Sequence, residues 1–203
     1  MTATTTASNS LTAGQRRYGA IAIALHWTIA ALILVQIGLG WYMNEVLPDH
    51  SPAQDNIQTL HISVGLTTLL LILVRVGLRL ATPPPPLPAG FPAWERLLAG
   101  ASHLLFYLLI LALPLTGWAL VSARHEPFGF WGLAWPSLPG LGFLEGRQHH
   151  DARETLQSIH TTFLIWIVWA NLFLHVAGAL KHQFDGRPVL WRMLPFLKSP
   201  SGG

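Results

Sequence analysis

Residues 24–34 read ALHWTIAALIL and place an ionisable ring, His26, near the start of a long apolar run. The whole run covers residues 19–43. About 20 apolar helical residues are enough to cross the ~30 Å hydrocarbon core of a bilayer. Ionisable side chains inside such a segment are costly and usually functional. This stretch therefore predicts a membrane helix in which His26 has a chemical role.

The composition points to a membrane protein. Of 203 residues, 51% are hydrophobic and 10% are charged, whereas soluble domains carry about 25% charged residues. The mean hydropathy is +0.43. The absence of cysteine excludes disulfides, thiolate-held iron–sulfur clusters, cysteine zinc sites and covalently attached c-type haem. The basic residues flank the apolar runs, which favours a membrane topology signal over nucleic-acid binding.

Four segments are long and apolar enough to span the bilayer, at about 19–43, 58–80, 101–122 and 158–182. They predict an all-α integral membrane four-helix bundle over residues 18–196, between a disordered tail at 1–17 and a C-terminal tail at 197–203. The proline-rich stretch 81–98 predicts a stiff, non-helical connection. Residues 126–143, rich in Trp, Phe, Gly and Pro, predict a cap on the membrane surface.

The basic residues predict the orientation. With four spans, both termini and the proline-rich connection share one side of the membrane. That side carries nine basic residues, namely Arg16, Arg17, Arg75, Arg79, Arg96, Lys181, Arg187, Arg192 and Lys198, against Arg124, Arg147 and Arg153 on the other. The positive-inside rule then predicts cytoplasmic termini and a periplasmic third connection, in a bacterial inner membrane.

Four histidines fall at two matching depths of this bundle. His26 and His175 each lie about two turns from the cytoplasmic end of their spans, in the first and fourth helices. His61 and His160 start the second and fourth spans on the periplasmic side. His160 and His175 are 15 residues apart, which is about 22 Å and ~60° of rotation in an α-helix. Both can therefore face one bundle interior.

Two histidines at each level, on different helices, are what bis-histidine haem needs, with one axial nitrogen above and one below the iron. A flat cofactor also needs small residues beside it, and the candidates are Gly38, Gly40, Gly65, Gly117 and Gly178. Plain helix packing is the alternative role for these glycines. Hydrogen-bonded core histidines are an alternative for the rings, and zinc or copper is another, although this spacing makes a poor tetrahedral site.

Three further residues are candidates for binding the cofactor or substrate. Arg75 follows His61 by 14 residues, about 40° short of whole turns, so it points to nearly the same face at the depth of the cytoplasmic pair. A haem propionate is one partner for it, and a snorkelling position at the helix end is the alternative. His103 suits a quinone, a propionate or the membrane interface. Arg153, seven residues before His160, can overhang the periplasmic haem or belong to a solvated charge cluster.

The run HHDARE, at residues 149–154, has the residue types of a metal site, but a short polar helix start explains it better.

Four stretches together resemble the bacterial cytochrome b561 family of four-helix di-haem membrane cytochromes. They are RYGAIAIALHW (17–27), LHISVGLTTLLLILVRVGLRL (60–80), HLLFYLLILALPLTGW (103–118) and HVAGALKHQF with GRPVLWRML (175–184 and 186–194). The resemblance covers about residues 16–196. It implies two b haems, one bound by His26 and His175 and the other by His61 and His160.

The resemblance also implies one-electron transfer to or from quinones. One branch of the family is similar to superoxide oxidases, which oxidise periplasmic superoxide and reduce ubiquinone. Other relatives are membrane cytochrome b subunits of hydrogenases or formate dehydrogenases. The first hypothesis is therefore a superoxide:ubiquinone oxidoreductase in contact with membrane lipid. The second is a haem subunit that serves a partner protein and has no substrate site of its own. A haem-free transporter is disfavoured because the spans show no inverted repeat.

Overall fold

The computed structural model describes residues 17–85, 90–123, 127–141 and 150–197, and these residues are mainly helical. Helix α1 covers Ala20–Glu45, α2 covers Pro52–Ala81 and α3 covers Ala93–Ser122. A fourth long helix begins as α4 (His150–Ser158), passes through one π-helical turn (Ile159–Phe163) and continues as α5 (Leu164–Phe184). A short 3₁₀ turn, Leu190–Arg192, follows.

All four long helices are apolar enough to cross a membrane, with mean hydropathies of 1.9 to 2.3 over their best windows. The prediction of four membrane-spanning helices is therefore confirmed. Each of the last three helices starts six to eight residues before the predicted span. His61 and His160 consequently lie more than two turns inside their helices, and the expectation that they begin them is wrong; His103 lies equally deep in α3.

The second connection is shorter than predicted. Residues 81–98 were expected to be non-helical, but α3 already begins at Ala93, directly after Pro92. The physical reason is local: proline fixes a backbone angle that suits the position before a helix, and Glu95 places a negative charge in the first turn, where the helix dipole favours it. Residues 86–89 of this connection lie outside the described part of the chain.

The bundle packs in chain order, with α1 against α2, α2 against α3, and α3 against α5. Its most buried apolar cluster joins Ile29, Ile72 and Ile110 from the first three helices. Because Ile29 follows His26 by less than one turn and Ile72 follows His61 by three turns, the cluster lies between the two histidine levels. Much of the remaining surface is large apolar side chains, as expected of helices that face lipid.

The third connection folds onto one end of the bundle. Strands β1 (Gly129–Phe130) and β2 (Leu133–Ala134) form a small antiparallel hairpin. The backbone N–H of Trp131 donates to Ser63 Oγ at 3.1 Å, and its indole N–H donates to Thr67 Oγ1 at 3.0 Å. The described residues 127–141 thus pack against α2 near the level of His61 and, through Pro136 and Leu138, against Trp118 and Ser122 of α3.

Candidate functional site

The histidines form two pairs, one near each end of the bundle. The termini-side pair is His26 of α1 and His175 of α5, on the side where the described chain begins and ends. Their ring centres are 6.4 Å apart and the ring planes are inclined by 52°. The loop-side pair is His61 of α2 and His160 of the π-helical turn, with ring centres 6.3 Å apart and planes inclined by 79°. The pairing predicted from depth is the pairing that the fold brings together.

The termini-side pair has a cation beside it. Arg75 Nη2 lies 3.4 Å from His26 Nδ1, and Arg75 Nη1 donates to the carbonyl oxygen of Ala22 at 3.2 Å. The guanidinium also lies 6.0 Å from the centre of the Tyr107 ring. Arg75 therefore reaches the termini-side pair from α2, as its spacing from His61 predicts.

Two aromatic rings flank His175 on the α3 side. The ring centres of His103 and Phe106 each lie 5.3 Å from that of His175, and both rings meet it edge to face. His103 therefore belongs to the surroundings of the termini-side pair rather than to a separate interfacial position.

The loop-side pair has a hydroxyl beside it instead of a charge. Thr116 Oγ1 of α3 lies 2.9 Å from His160 Nδ1. His61 is held through its backbone, because the amide of Gln36 donates to the His61 carbonyl oxygen at 2.9 Å. The His61 Nδ1 atom is buried and has no hydrogen-bond partner among the described residues. Buried polar atoms rarely lack a partner, so this ring is available to a bound group.

The π-helical turn places His160. A π turn accommodates one extra residue relative to an α-helical turn and is frequent at functional sites. It begins at Ile159, directly before His160, and ends at Phe163. The extra residue changes the rotation between His160 and His175 from the value expected for a continuous α-helix, and both rings still point into the bundle.

Two of the five candidate glycines lie directly against the loop-side rings. A Cβ atom at Gly117 would lie 3.0 Å from His160 Cε1, and one at Gly40 would lie 3.5 Å from His61 Cε1. A Cβ at Gly65 would lie 2.7 Å from the Gln36 amide nitrogen. Gly38 and Gly178 have open space around them. Gly40 and Gly117 therefore leave room beside the His61 and His160 rings. For the other three glycines, plain helix packing stays the alternative role.

A large cavity surrounds the loop-side pair. Its volume is about 850 Å³, within the range of cofactor pockets. Apolar side chains line its inner part, including Ile62, Leu66 and Ile110. The charged or ionisable side chains that line its outer part, within the described residues, are Asp49, His50 and Asp55.

The spacing of both pairs fits one metal ion between the two rings. With metal–nitrogen bonds of about 2.0 Å on opposite sides, the two ring centres would be roughly 6.3 Å apart. The observed distances are 6.4 Å and 6.3 Å. Four-coordinate zinc would need two more ligands at each level. The donor set, the cavity and the glycine clearance fit a haem iron with two axial histidines better.

Arg153 is the other described residue predicted to lie over the loop-side pair. Arg153 lies in α4 and is partly buried, and no described contact joins it to His160. Arg124, His125, Arg147 and His149 lie outside the described residues. His150, Asp151 and Glu154 are close enough to share a cation, but all three are exposed, and the 3.5 Å pair between His150 and Glu154 suits the first turn of α4.

Two polar arrangements hold α3 to α5, and the sequence reasoning missed both. Ser102 Oγ donates to Asn171 Oδ1 at 2.8 Å, and Asn171 Nδ2 donates back to the Ser102 carbonyl at 3.1 Å. Near the chain termini, Glu95 accepts hydrogen bonds from Lys181 and Arg187, each at 2.9 Å. The sequence signal that could have found the first pair is one polar residue inside each of two apolar spans, Ser102 and Asn171.

Comparisons with known proteins identify the family of the chain. Residues 17–196 match the prokaryotic cytochrome b561 family. The chain is 33% identical to cytochrome b561 homolog 2 of Escherichia coli over 91% of this chain and 95% of that protein. It is 28% identical to a protein of Yersinia pestis named probable superoxide oxidase CybB, over 89% of this chain and 97% of that one.

Proposed function

The chain belongs to the prokaryotic cytochrome b561 family of membrane electron-transfer proteins, and we propose that it binds two b-type haems, one at each histidine pair. Membership of the family implies an inner-membrane protein with b-type haem. The number of haems, their ligands and the reaction are our proposals. We also propose that residues 18–196 form a single cytochrome domain with both termini in the cytoplasm, because the basic residues concentrate on that side.

The observation that carries this proposal is the equal spacing of the two pairs. The ring centres, 6.4 Å and 6.3 Å apart, have about the separation that two histidines would need to hold one metal ion between them. The two pairs use three helices, and α5 with its π turn contributes to both. A single buried histidine has a structural explanation, whereas two equal pairs at opposite ends of one bundle do not.

The residues of the chain would then divide the work as follows. The two cofactors would be held by the histidine pairs, His26 with His175 and His61 with His160. When bound, each cofactor would be a reversible one-electron carrier. Ile29, Ile72 and Ile110 fill the bundle between the two levels and exclude water. At 1.5 Å per residue, the two levels lie about 20 Å apart. Gly40 and Gly117 leave room beside the loop-side rings.

We propose that the reaction is superoxide:ubiquinone oxidoreduction. Two superoxide anions each lose one electron on the periplasmic side and leave as dioxygen. One ubiquinone takes up the two electrons and two protons and becomes ubiquinol. The relative named probable superoxide oxidase supports this assignment. Arg153, seven residues before His160 on the same long helix, is the described cation nearest to it in the sequence and is assigned the attraction of the anion in this proposal.

A second candidate is an electron carrier for a partner dehydrogenase or hydrogenase. It is favoured by Asp49 and Asp55, which line the mouth of the loop-side cavity. Carboxylates repel an anionic substrate and attract a basic surface of a partner protein.

Turnover by the purified chain separates the two candidates. The protein is reconstituted with haem in liposomes that contain ubiquinone, and superoxide is generated outside by an enzymatic source. Superoxide-dependent formation of ubiquinol, lost in His61→Ala, supports the oxidase. A haem-loaded chain that forms no ubiquinol above the background of protein-free liposomes overturns the oxidase and leaves the carrier.

A further inference from the structure

The two histidine pairs differ in the side chain that lies beside one Nδ1 atom. Thr116 lies beside His160 Nδ1, and Arg75 lies beside His26 Nδ1. At the loop side, Thr116 Oγ1 lies 2.8 Å from the carbonyl oxygen of Ala112 and 2.9 Å from that of Leu113. Threonine hydroxyls inside helices characteristically back-bond to the preceding turn, which assigns the single hydrogen of Thr116 to a backbone carbonyl. The third neighbour of the hydroxyl, His160 Nδ1 at 2.9 Å, must then be the donor. Thr116 thus selects the His160 tautomer with the proton on Nδ1 and leaves Nε2 free to bind iron.

At the termini side, the neighbour is Arg75, which can donate but cannot accept. Its guanidinium lies 3.4 Å from His26 Nδ1 and is fixed by a second bond to the Ala22 carbonyl. An arginine is positively charged at every physiological pH. With iron on Nε2, His26 Nδ1 would carry the ring proton and could not accept from Arg75, so the bond to the Ala22 carbonyl is the contact that would keep the guanidinium charge beside the ring.

These two partners act on a bound iron in opposite directions. A hydrogen bond accepted from Nδ1–H makes the imidazole a stronger electron donor, which stabilises the oxidised iron and lowers the reduction potential. A positive charge in a low-dielectric interior stabilises the reduced iron, which carries one positive charge fewer, and raises the potential. Asp49 and Asp55, at the mouth of the loop-side cavity, add to the first effect.

We propose that Thr116 and Arg75 are tuning residues that give the loop-side haem the lower reduction potential and the termini-side haem the higher one. The inference rests on the proposed pairing of the haems. The haem that His61 and His160 would hold would then supply the electron-donating centre, and the haem that His26 and His175 would hold would supply the accepting one, with no bond or proton exchanged between them. Superoxide is the reductant and quinone the oxidant of the proposed reaction.

The test is a spectroelectrochemical titration of the purified haem-loaded protein and of two matched pairs of variants. Thr116→Val removes the acceptor, and Thr116→Ser restores it. Arg75→Gln removes the charge, and Arg75→Lys keeps it. We expect Thr116→Val to raise only the lower potential and Arg75→Gln to lower only the higher one. Each shift should change the reduced-to-oxidised ratio at least tenfold, which is about 59 mV for one electron. The two control variants should stay near wild type.

The assignment of each potential to a pair has its own check. In His175→Ala, the remaining haem should titrate at the lower wild-type potential. A higher potential there, or unchanged potentials in both Thr116→Val and Arg75→Gln, overturns the tuning roles. If Thr116→Val loses haem, the Arg75 variants and His175→Ala decide the matter alone. A wild-type protein that binds no haem refutes the proposed function instead, so the two failures are distinguishable.

Discussion

The loop-side and termini-side pairs have nearly the same spacing between their rings but are built differently. The loop-side pair depends on backbone features, namely a π-helical turn at His160 and a glycine at each ring. The termini-side pair lies on uninterrupted α-helix and is surrounded by Arg75, His103 and Phe106. The difference teaches that similar ring spacing can be reached by close backbone approach at one level and by side-chain packing at the other. It also predicts that changes of chain geometry should damage mainly the loop-side pair.

Deletion of Thr162 should have the largest effect. Removing one residue from the π turn lets the helix continue as regular α-helix, which changes both the rotation and the rise between His160 and α5. We expect loss of the loop-side haem, half of the total, with the termini-side haem retained. Haem content per protein and the reduced-minus-oxidised spectrum measure the change. The matched control, Thr162→Ala, keeps the residue count and should keep both haems; two haems retained in the deletion variant would show that the turn is not needed for the pair.

Gly117→Ala should have the next largest effect. The new Cβ would lie 3.0 Å from His160 Cε1, so the ring must shift. Overpacking of this kind costs about 1–3 kcal/mol. Haem should therefore bind roughly tenfold more weakly, or weaker still, at that pair. Competition for haem with apomyoglobin measures the retention. Gly178→Ala is the control, because nothing lies near its Cβ position. Wild-type retention in Gly117→Ala would remove the clearance argument.

Asn171→Leu should destabilise the termini side by a smaller amount. Asn171 lies one turn before His175, is 3% exposed, and exchanges two hydrogen bonds with Ser102. Hydrogen bonds between membrane helices contribute on average about 0.6 kcal/mol and at most about 1.7 kcal/mol. We expect a loss of about 1 kcal/mol in the free energy of unfolding in detergent, with the loop-side haem unaffected. Phe173→Leu, at an exposed position, is the control. A larger loss in the control would contradict the role of the polar pair.

The smallest expected effect is a pH dependence at the chain termini. The hydrogen bond from Lys181 lowers the pKa of Asp185, and Arg187 adds to the effect. A carboxyl whose pKa is lowered by folding stabilises the fold at pH values above its ordinary pKa of 3.8. That stabilisation is lost as the pH falls through the lowered pKa of the folded protein. Melting temperature should therefore fall more steeply below pH 4 in wild type than in Asp185→Asn. Parallel curves for the two proteins would show that Asp185 adds nothing.

The sequence predicted the parts of the molecule that depend on apolar length and depth. Four spans follow from the need for about 20 apolar residues each, and the pairing of His26 with His175 follows from equal depth in antiparallel helices. The starts of α2, α3 and α4 were placed too late, because hydropathy finds where lipid begins rather than where the helix begins. Pro52 and Pro92 were the better signals of those starts.

The details of the site could not be predicted in the same way. The π turn at His160 depends on how the whole helix packs, since no residue type specifies it. The contact of Thr116 with His160 joins residues 44 positions apart on two helices whose relative rotation the sequence does not determine. Arg75 was predicted at the right depth because it lies on the same helix as His61. Within one helix, the number of residues between two positions sets both the rise and the rotation between them.

The most direct test of the account is the haem content of purified wild-type protein beside His61→Ala and His175→Ala. The protein is purified from membranes, and haem is measured against protein by the pyridine haemochrome method. The account predicts two low-spin b-type haems in wild type and one in each variant, with different spectra for the two remaining haems. No haem in wild type, or the same haem content in all three proteins, would contradict the claim that each histidine pair binds its own haem.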